Sequence, residues 1–161
     1  MLIAIVSDTH LPRGNRRIPE RCVQLMRGAD LVLHAGDFCA VEVLEELEAL
    51  GPPVVGVSGN MDSADVRSRL PEQVEVEAGD VVVAMIHDAG PARGRLQRLR
   101  NRFPRADAVV FGHSHMPLLE RAGDFQIFNP GSPTERRKAP RHTMGLARVD
   151  GRAVSFELVP L

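Results

Sequence analysis

The sequence predicts an α/β fold in which two packed sheets are covered by helices, and three observations carry that expectation. From Leu2 to Val57, apolar runs alternate with amphipathic stretches in a β-α-β-α-β order, which implies right-handed crossovers and a mostly parallel sheet. Each of these apolar runs stops at a short polar packet, the placement expected of a loop-borne site at the ends of parallel strands. The last third changes character: short apolar runs come in pairs separated by turn sequences and read as antiparallel hairpins.

Leu2 to Val6 is an unbroken apolar run suited to a buried central strand, and it ends at Ser7-Asp8-Thr9-His10. Residues 11–17 carry a Pro, a Gly and an Asn and read as a loop. Pro19 and Glu20 then start a helix through Arg27, with Cys22, Leu25 and Met26 on one face and Gly28 as its stop. A second strand, Asp30 to His34, leads into Gly36-Asp37. Val41, Leu44, Leu47 and Leu50 recur every three residues, so 40–50 reads as a helix with Glu42, Glu45, Glu46 and Glu48 toward water. Gly51-Pro52-Pro53 stops it, and Val54 to Val57 forms a third strand ending at Ser58-Gly59-Asn60.

Residues 61–71 hold at most a short helix. Val74, Val76 and Ala78 alternate with Glu75 and Glu77 as a half-exposed strand; Gly79-Asp80 turns the chain into the wholly apolar Val81 to Ile86, which ends at His87-Asp88-Ala89-Gly90. A helix over 92–103 puts Leu96, Leu99 and Phe103 on one face. Its arginines read as a solvated side rather than a phosphate-binding surface. Ala108 to Phe111 is the next strand, and it stops at Gly112-His113-Ser114-His115. Two hairpins follow, Leu118–Arg121 with Phe125–Phe128 and Thr143–Val149 with Ala153–Val159, the second turning at Asp150-Gly151. Between them, 129–142 is a long loop rich in Pro, Gly and Arg.

A length of 161 residues with 43% apolar composition suits one domain, 1–161, with a substantial core. No run approaches the roughly 18 consecutive apolar residues of a membrane span, and Met1 to Ser7 leads into an acidic motif instead of a signal peptide, so a cytoplasmic protein without a membrane partner is expected. The two cysteines, Cys22 and Cys39, give no disulfide framework. Cys22 reads as buried, and Cys39 as near Asp37 without being a ligand. A formal charge of −1 argues against holding nucleic acid by bulk electrostatics, although Arg136, Arg137, Lys138 and Arg141 leave a local phosphate contact open.

Five of the six histidines (His10, His34, His87, His113 and His115) fall within two residues of the end of an apolar run. With Asp8, Asp37 and Asn60 they offer oxygen and imidazole ligands and no thiolate pair, a set that favours Mn, Fe, Ni, Co or Zn over an all-oxygen Mg or Ca site. Asp37 is the carboxylate around which the others group, and it is expected to bridge two ions. His34 precedes it by three residues and reads as a hydrogen-bonding support. His142, beside Arg141, reads as solvent-facing or substrate-side.

The ordered series Asp8-Thr9-His10, Gly36-Asp37, Gly59-Asn60-Met61-Asp62, His87 and Gly112-His113-Ser114-His115 resembles the calcineurin-like metallophosphoesterases, and most closely their small YfcE-like phosphodiesterase branch, which shares an Asn-Pro-Gly-Ser like that of 129–132. The resemblance covers essentially the whole chain. It implies a four-layer αββα sandwich of two mixed sheets flanked by helices. It also implies two divalent transition-metal ions, manganese first: Asp8, His10 and His115 on one, Asn60, His87 and His113 on the other, and Asp37 on both. The implied activity is hydrolysis of a small phosphate ester by metal-activated water. A phosphomonoesterase, a nuclease and a non-catalytic interaction scaffold are the alternatives, the last because the eukaryotic retromer subunit resembles the same fold with a degraded metal site. A homo-oligomer is compatible with all of these.

Three departures from the broader family stand out. Many members have Gly-Asn-His-Glu where this chain has Gly59-Asn60-Met61-Asp62, so the histidine assigned to leaving-group protonation is replaced by a side chain that cannot transfer a proton. Asp62 is the remaining candidate catalytic residue, expected to orient a histidine or water. Leu11 and Asp88 stand where glycines commonly follow the metal histidines, and an inward-facing Asp88 would repel a phosphate.

Overall fold

The computed structural model describes residues 1–161. Its strands form two five-stranded mixed sheets. In the first, β1 (Leu2–Val6), β2 (Leu31–His34) and β3 (Val54–Gly56) run parallel, joined by helices α1 (Glu20–Arg27) and α2 (Val41–Glu48). The C-terminal hairpin, β9 (Thr143–Asp150) and β10 (Ala153–Pro160), adds antiparallel to β1, giving the order β10-β9-β1-β2-β3. The second sheet has the order β4-β5-β6-β8-β7 and is built from β4 (Gln73–Ala78), β5 (Val81–Ile86), β6 (Ala108–Val110), β7 (Leu118–Ala122) and β8 (Phe125–Asn129). Here β5, β6 and β8 are parallel, while β4 and β7 lie antiparallel at the edges.

Alternation decides which sheet face each residue serves, because successive side chains on a strand point to opposite faces. Ile3, Ile5 and Leu33 of the first sheet meet Val83, Met85, Val110 and Phe128 of the second in a core between the sheets. Phe128 and Phe156 stack across it with centroids 4.8 Å apart. The opposite face of the first sheet, with Ala4, Val6 and Val32, packs on Cys22 and Met26 of α1 and Leu44 and Leu47 of α2. The outer face of the second, with Ala84, Val109 and Ile127, packs on Leu99 and Phe103. Three apolar layers between four structural layers make the molecule an αββα sandwich.

One helix is as short as the sequence implies, and another starts later than its periodicity suggests. The 61–71 segment holds α3 (Ala64–Arg69), capped by Ser63, whose hydroxyl accepts from the Val66 N–H at 3.4 Å. The helix expected over 92–103 is α4, Arg95–Arg102, because Gly94 adopts a left-handed φ of 67° and delays the start. Its arginines are tied down as well as solvated. Arg98 donates to the carbonyls of Ala89 and Pro91 at 2.7 and 2.8 Å, and Arg95 lies over the Phe111 ring at 5.0 Å. No helix is long and apolar enough to cross a membrane.

A candidate metal centre at the strand ends

The packets after β1, β2, β3, β5 and β6 meet along one edge of the sandwich. Five of the residues in them, Asp8, His10, Asp37, His113 and His115, have left-handed backbone with φ between 45° and 66°. A residue with a β-carbon adopts that region at a cost of about 1–3 kcal/mol, and such strain persists where the surroundings over-determine it. Each sharp reversal lets a side chain just past a strand turn back over the strand ends.

Two compact groups result. Asp8, His10 and His115 form one, Asp8, Asp37 and His87 the other, with ligand atoms in each group within 4.8 Å of one another. The Nε2 atoms of His10 and His115 stand 3.1 Å apart, and Asp8 Oδ1 lies 3.3 Å from that of His115. Asp37 Oδ2 sits between the groups, 3.5 Å from His10 Nε2 and 3.3 Å from His87 Nε2. Asn60 completes the second side, its Oδ1 3.1 Å from His87 Nε2 and 2.9 Å from His113 Nδ1. All seven residues singled out as ligands in the sequence are brought together. Asp8 as well as Asp37 faces both groups, which the sequence reading did not foresee.

The atoms facing the cleft are acceptors. His87 donates its Nδ1–H to the Ala35 carbonyl at 2.8 Å, and His115 donates its own to the Glu135 carbonyl, so each Nε2 presents a lone pair inward. With the rings neutral, lone pairs of Asp8, Asp37, Asn60 and imidazole converge at about 3 Å; a divalent cation satisfies them, as protons shared between the rings and the carboxylates do in its absence, and the donor types suit a transition metal. Burial opposes ionisation of Asp8, but hydrogen bonds from His10 and His115 hold its pKa well below the ordinary carboxylate value. Burial likewise works against Asp37, while His87 and the Met61 N–H bring its pKa down. For His87, burial disfavours the charged ring, yet Asp37 and Asp8 carry its pKa above the usual histidine value.

The supporting residues are as defined as the ligands. His34 is fully buried, stacked on Phe38 with centroids 3.5 Å apart. It accepts the Gly36 N–H on Nδ1 at 3.2 Å and therefore donates Nε2–H to Thr9 Oγ1 at 3.0 Å, tying the β1 packet to the β2 packet. Cys39 Sγ lies 3.4 Å from His10 Nδ1; burial and the Asp37 and Asp62 carboxylates push the thiol up to about 11, so it stays protonated beside the ring.

Asp62 is buried behind the cluster, not in it. Its two oxygens accept the N–H groups of Cys39 and Gly59, both at 2.7 Å, joining the loop that carries Asp37 to the one that carries Asn60. Asp88 is exposed and folded onto its own turn, where Oδ1 accepts the Gly90 N–H at 2.7 Å.

One support was missed in the sequence. Ser132 Oγ donates to the Asp8 carbonyl at 2.8 Å, Thr134 Oγ1 to the Thr9 carbonyl at 2.6 Å, and the Glu135 carbonyl receives His115. The 132–135 segment is thus a strap over the first group. Asn129 of the Asn-Pro-Gly-Ser motif was the one signal for it; its Nδ2 donates to the Gly112 carbonyl at 2.9 Å. His142 lies apart from the cluster, half-buried, with Nδ1 enclosed and unbonded.

The molecule is thus a two-sheet αββα sandwich with histidine and carboxylate side chains gathered at its strand ends in groups that could hold metal ions. Residues 1–152 match the model of the calcineurin-like phosphoesterase superfamily domain, and the chain belongs to that superfamily. A probable metallophosphoesterase from Methanothermobacter thermautotrophicus is 39% identical over 165 residues, spanning 99% of this chain and 92% of the relative. The phosphodiesterase YfcE from Escherichia coli K12 is 28% identical over 154 residues, spanning 82% and 79%. In fold, the chain resembles vacuolar protein sorting 29 from Cryptosporidium parvum with a TM-score of 0.86 at 24% identity, covering 99% of this chain and 91% of that one.

Proposed function

We propose that this protein is a dinuclear-metal-dependent phosphodiesterase, hydrolysing small phosphate esters in the cytoplasm as one domain, with manganese as the first-choice metal. The observation that carries the reading is the convergence of seven side chains whose inward atoms are nearly all lone-pair donors. In it, Asp8, His10 and His115 would hold one ion and Asn60, His87 and His113 the other, with Asp37 available to both. When bound, the ions supply positive charge for the phosphoryl oxygens and lower the pKa of a water to give a nucleophile near neutral pH.

The chain's own residues do the positioning. The Ala35 and Glu135 carbonyls fix the His87 and His115 rings, and the Met61 N–H fixes Asp37 Oδ1 at 2.8 Å. Asp8, His10 and His115 are buried, whereas Asn60 is exposed and His113 half-exposed, so the ester approaches over the second group. Asp88, engaged by Gly90, does not oppose it. Met61 is 55% exposed near that approach and offers no proton, which favours esters whose leaving group departs unaided. Asp62 acts through the backbone it clamps, as a positioning residue.

The test is hydrolysis of bis(p-nitrophenyl) phosphate by protein stripped of metal and then loaded with manganese or nickel. Activity should require the metal, and Asp37→Ala should remove both. Full turnover by a verified metal-free preparation would overturn the mechanism. A scaffold role, the alternative, would not require these seven side chains to converge.

A further inference from the structure

The loop past the strap carries four exposed or nearly exposed cations, Arg136, Arg137, Lys138 and Arg141, and they are not equivalent. Arg136 closes its own turn, its Nη1 donating to the Ala139 carbonyl at 2.9 Å. Arg137 alone reaches back to the metal centre, donating Nη1–H to the His113 carbonyl at 3.3 Å. It has left-handed backbone, φ 47°, and sits two residues past Glu135, whose carbonyl receives His115. A short, anchored segment therefore presents the guanidinium at a defined place beside His113.

Charge is available there. Glu135, the nearest carboxylate along the loop, is engaged by Arg16 at 2.9 Å and Arg13 at 3.5 Å, and Arg137 forms no ion pair. A guanidinium has five N–H donors in a planar fork, and one suffices for the His113 carbonyl. The rest match two oxygens of a phosphate. The contact is to the backbone carbonyl of His113, at the exposed end of the cluster, while the ring Nδ1 faces Asn60. The guanidinium therefore meets the main chain of His113, with no hydrogen bond or ion pair to the seven cluster side chains.

Resting on the phosphodiesterase reading, we propose that Arg137 binds a second phosphate of the substrate, one that flanks the ester being cleaved, and that the preferred substrates are phosphodiesters carrying such a group. Arg137 is a specificity residue in this arrangement, and the scissile group is left to the metal cluster.

The test compares the p-nitrophenyl ester of thymidine 5′-phosphate with the same ester carrying a 3′-phosphate, so that leaving group and cleaved bond are identical. With manganese-loaded protein, the 3′-phosphate should raise kcat/KM about tenfold, the effect of one charge-assisted hydrogen-bonded contact. Arg137→Ala should bring the ratio to about one, Arg137→Lys should leave part of it, and Lys138→Ala should leave it whole. Thymidine 3′,5′-bisphosphate, titrated calorimetrically, should bind Arg137→Ala about tenfold more weakly at the same bound manganese. An unchanged ratio in Arg137→Ala, an equal loss on both esters, or a wild-type ratio of one overturns the assignment. Hydrolysis of neither ester by the wild type would instead overturn the phosphodiesterase reading.

Discussion

Gly59 packs against the carboxylate of Asp37 so closely that a β-carbon at position 59 would overlap Oδ1 and lie 2.8 Å from Cγ. Gly112 stands in the same relation to Asp8, where a β-carbon would meet Ser7 Oγ and lie 2.7 Å from Asp8 Oδ2. Each of the two carboxylates that face both ligand groups rests on a bare backbone, and its direction depends on that absence of side chain. The Gly59→Ala variant must also displace the Asp37 backbone nitrogen, 2.4 Å from such a β-carbon, so it should lose stability and, where it folds, bind manganese about 10–100-fold more weakly, the usual effect of disturbing a ligand's support. Calorimetric titration of the stripped protein reads this; unchanged affinity would show that Asp37 has room to move.

Met61 is 55% exposed beside Asn60 and has no proton to give a leaving group. Met61→His should raise kcat/KM for diesters of alkyl alcohols about tenfold or more and leave p-nitrophenyl esters nearly unchanged, because only poor leaving groups need a proton. The measurement is the dependence of kcat/KM on leaving-group pKa, which should flatten in the variant.

The Asp62 carboxylate joins two ligand loops through the N–H groups of Cys39 and Gly59. Asp62→Asn turns a donor toward one of those N–H groups, at a cost of about 1–3 kcal/mol and roughly 5 °C in Tm. Rates on alkyl and p-nitrophenyl esters should fall by the same factor. A selective loss on the alkyl ester would identify Asp62 as a proton donor.

His34 is held neutral by burial, its pKa pushed down to about 3. The unfolded chain takes up this proton near pH 6.5 and the native protein does not, so stability from His34 is complete above about pH 6.5 and is lost progressively as pH falls toward about 3. Asp8, with its lowered pKa, and His87, with its raised one, contribute their own slopes in both proteins compared. His34→Gln should be less stable at neutral pH and lose less on acidification across that window, as read from urea unfolding at a series of pH values. Parallel curves for the two proteins would refute the assignment.

Much of the scaffold was legible because its signals are local. Val81 to Ile86 is apolar throughout and is almost wholly buried; Val74, Val76 and Ala78 alternate with glutamates and are the more buried positions of an edge strand. The shortened start of α4 was not legible from periodicity, because Arg95, Leu96 and Leu99 continue the helical pattern whether or not Gly94 is left-handed. The candidate ligands could be named one by one, since each follows a strand end.

The sequence by itself determined the strand-helix alternation and the chemical types of the cluster, because spacing and side-chain chemistry are properties of neighbouring residues. Tertiary structure alone decided that Asp8 as well as Asp37 faces both groups, that Asp62 clamps two loops, and that Arg137 of the basic loop meets His113. The physical reason is distance along the chain. Ser132 and Asp8 are separated by 124 positions and Arg137 and His113 by 24, so nothing in the local pattern around either partner records the contact until the two sheets pack.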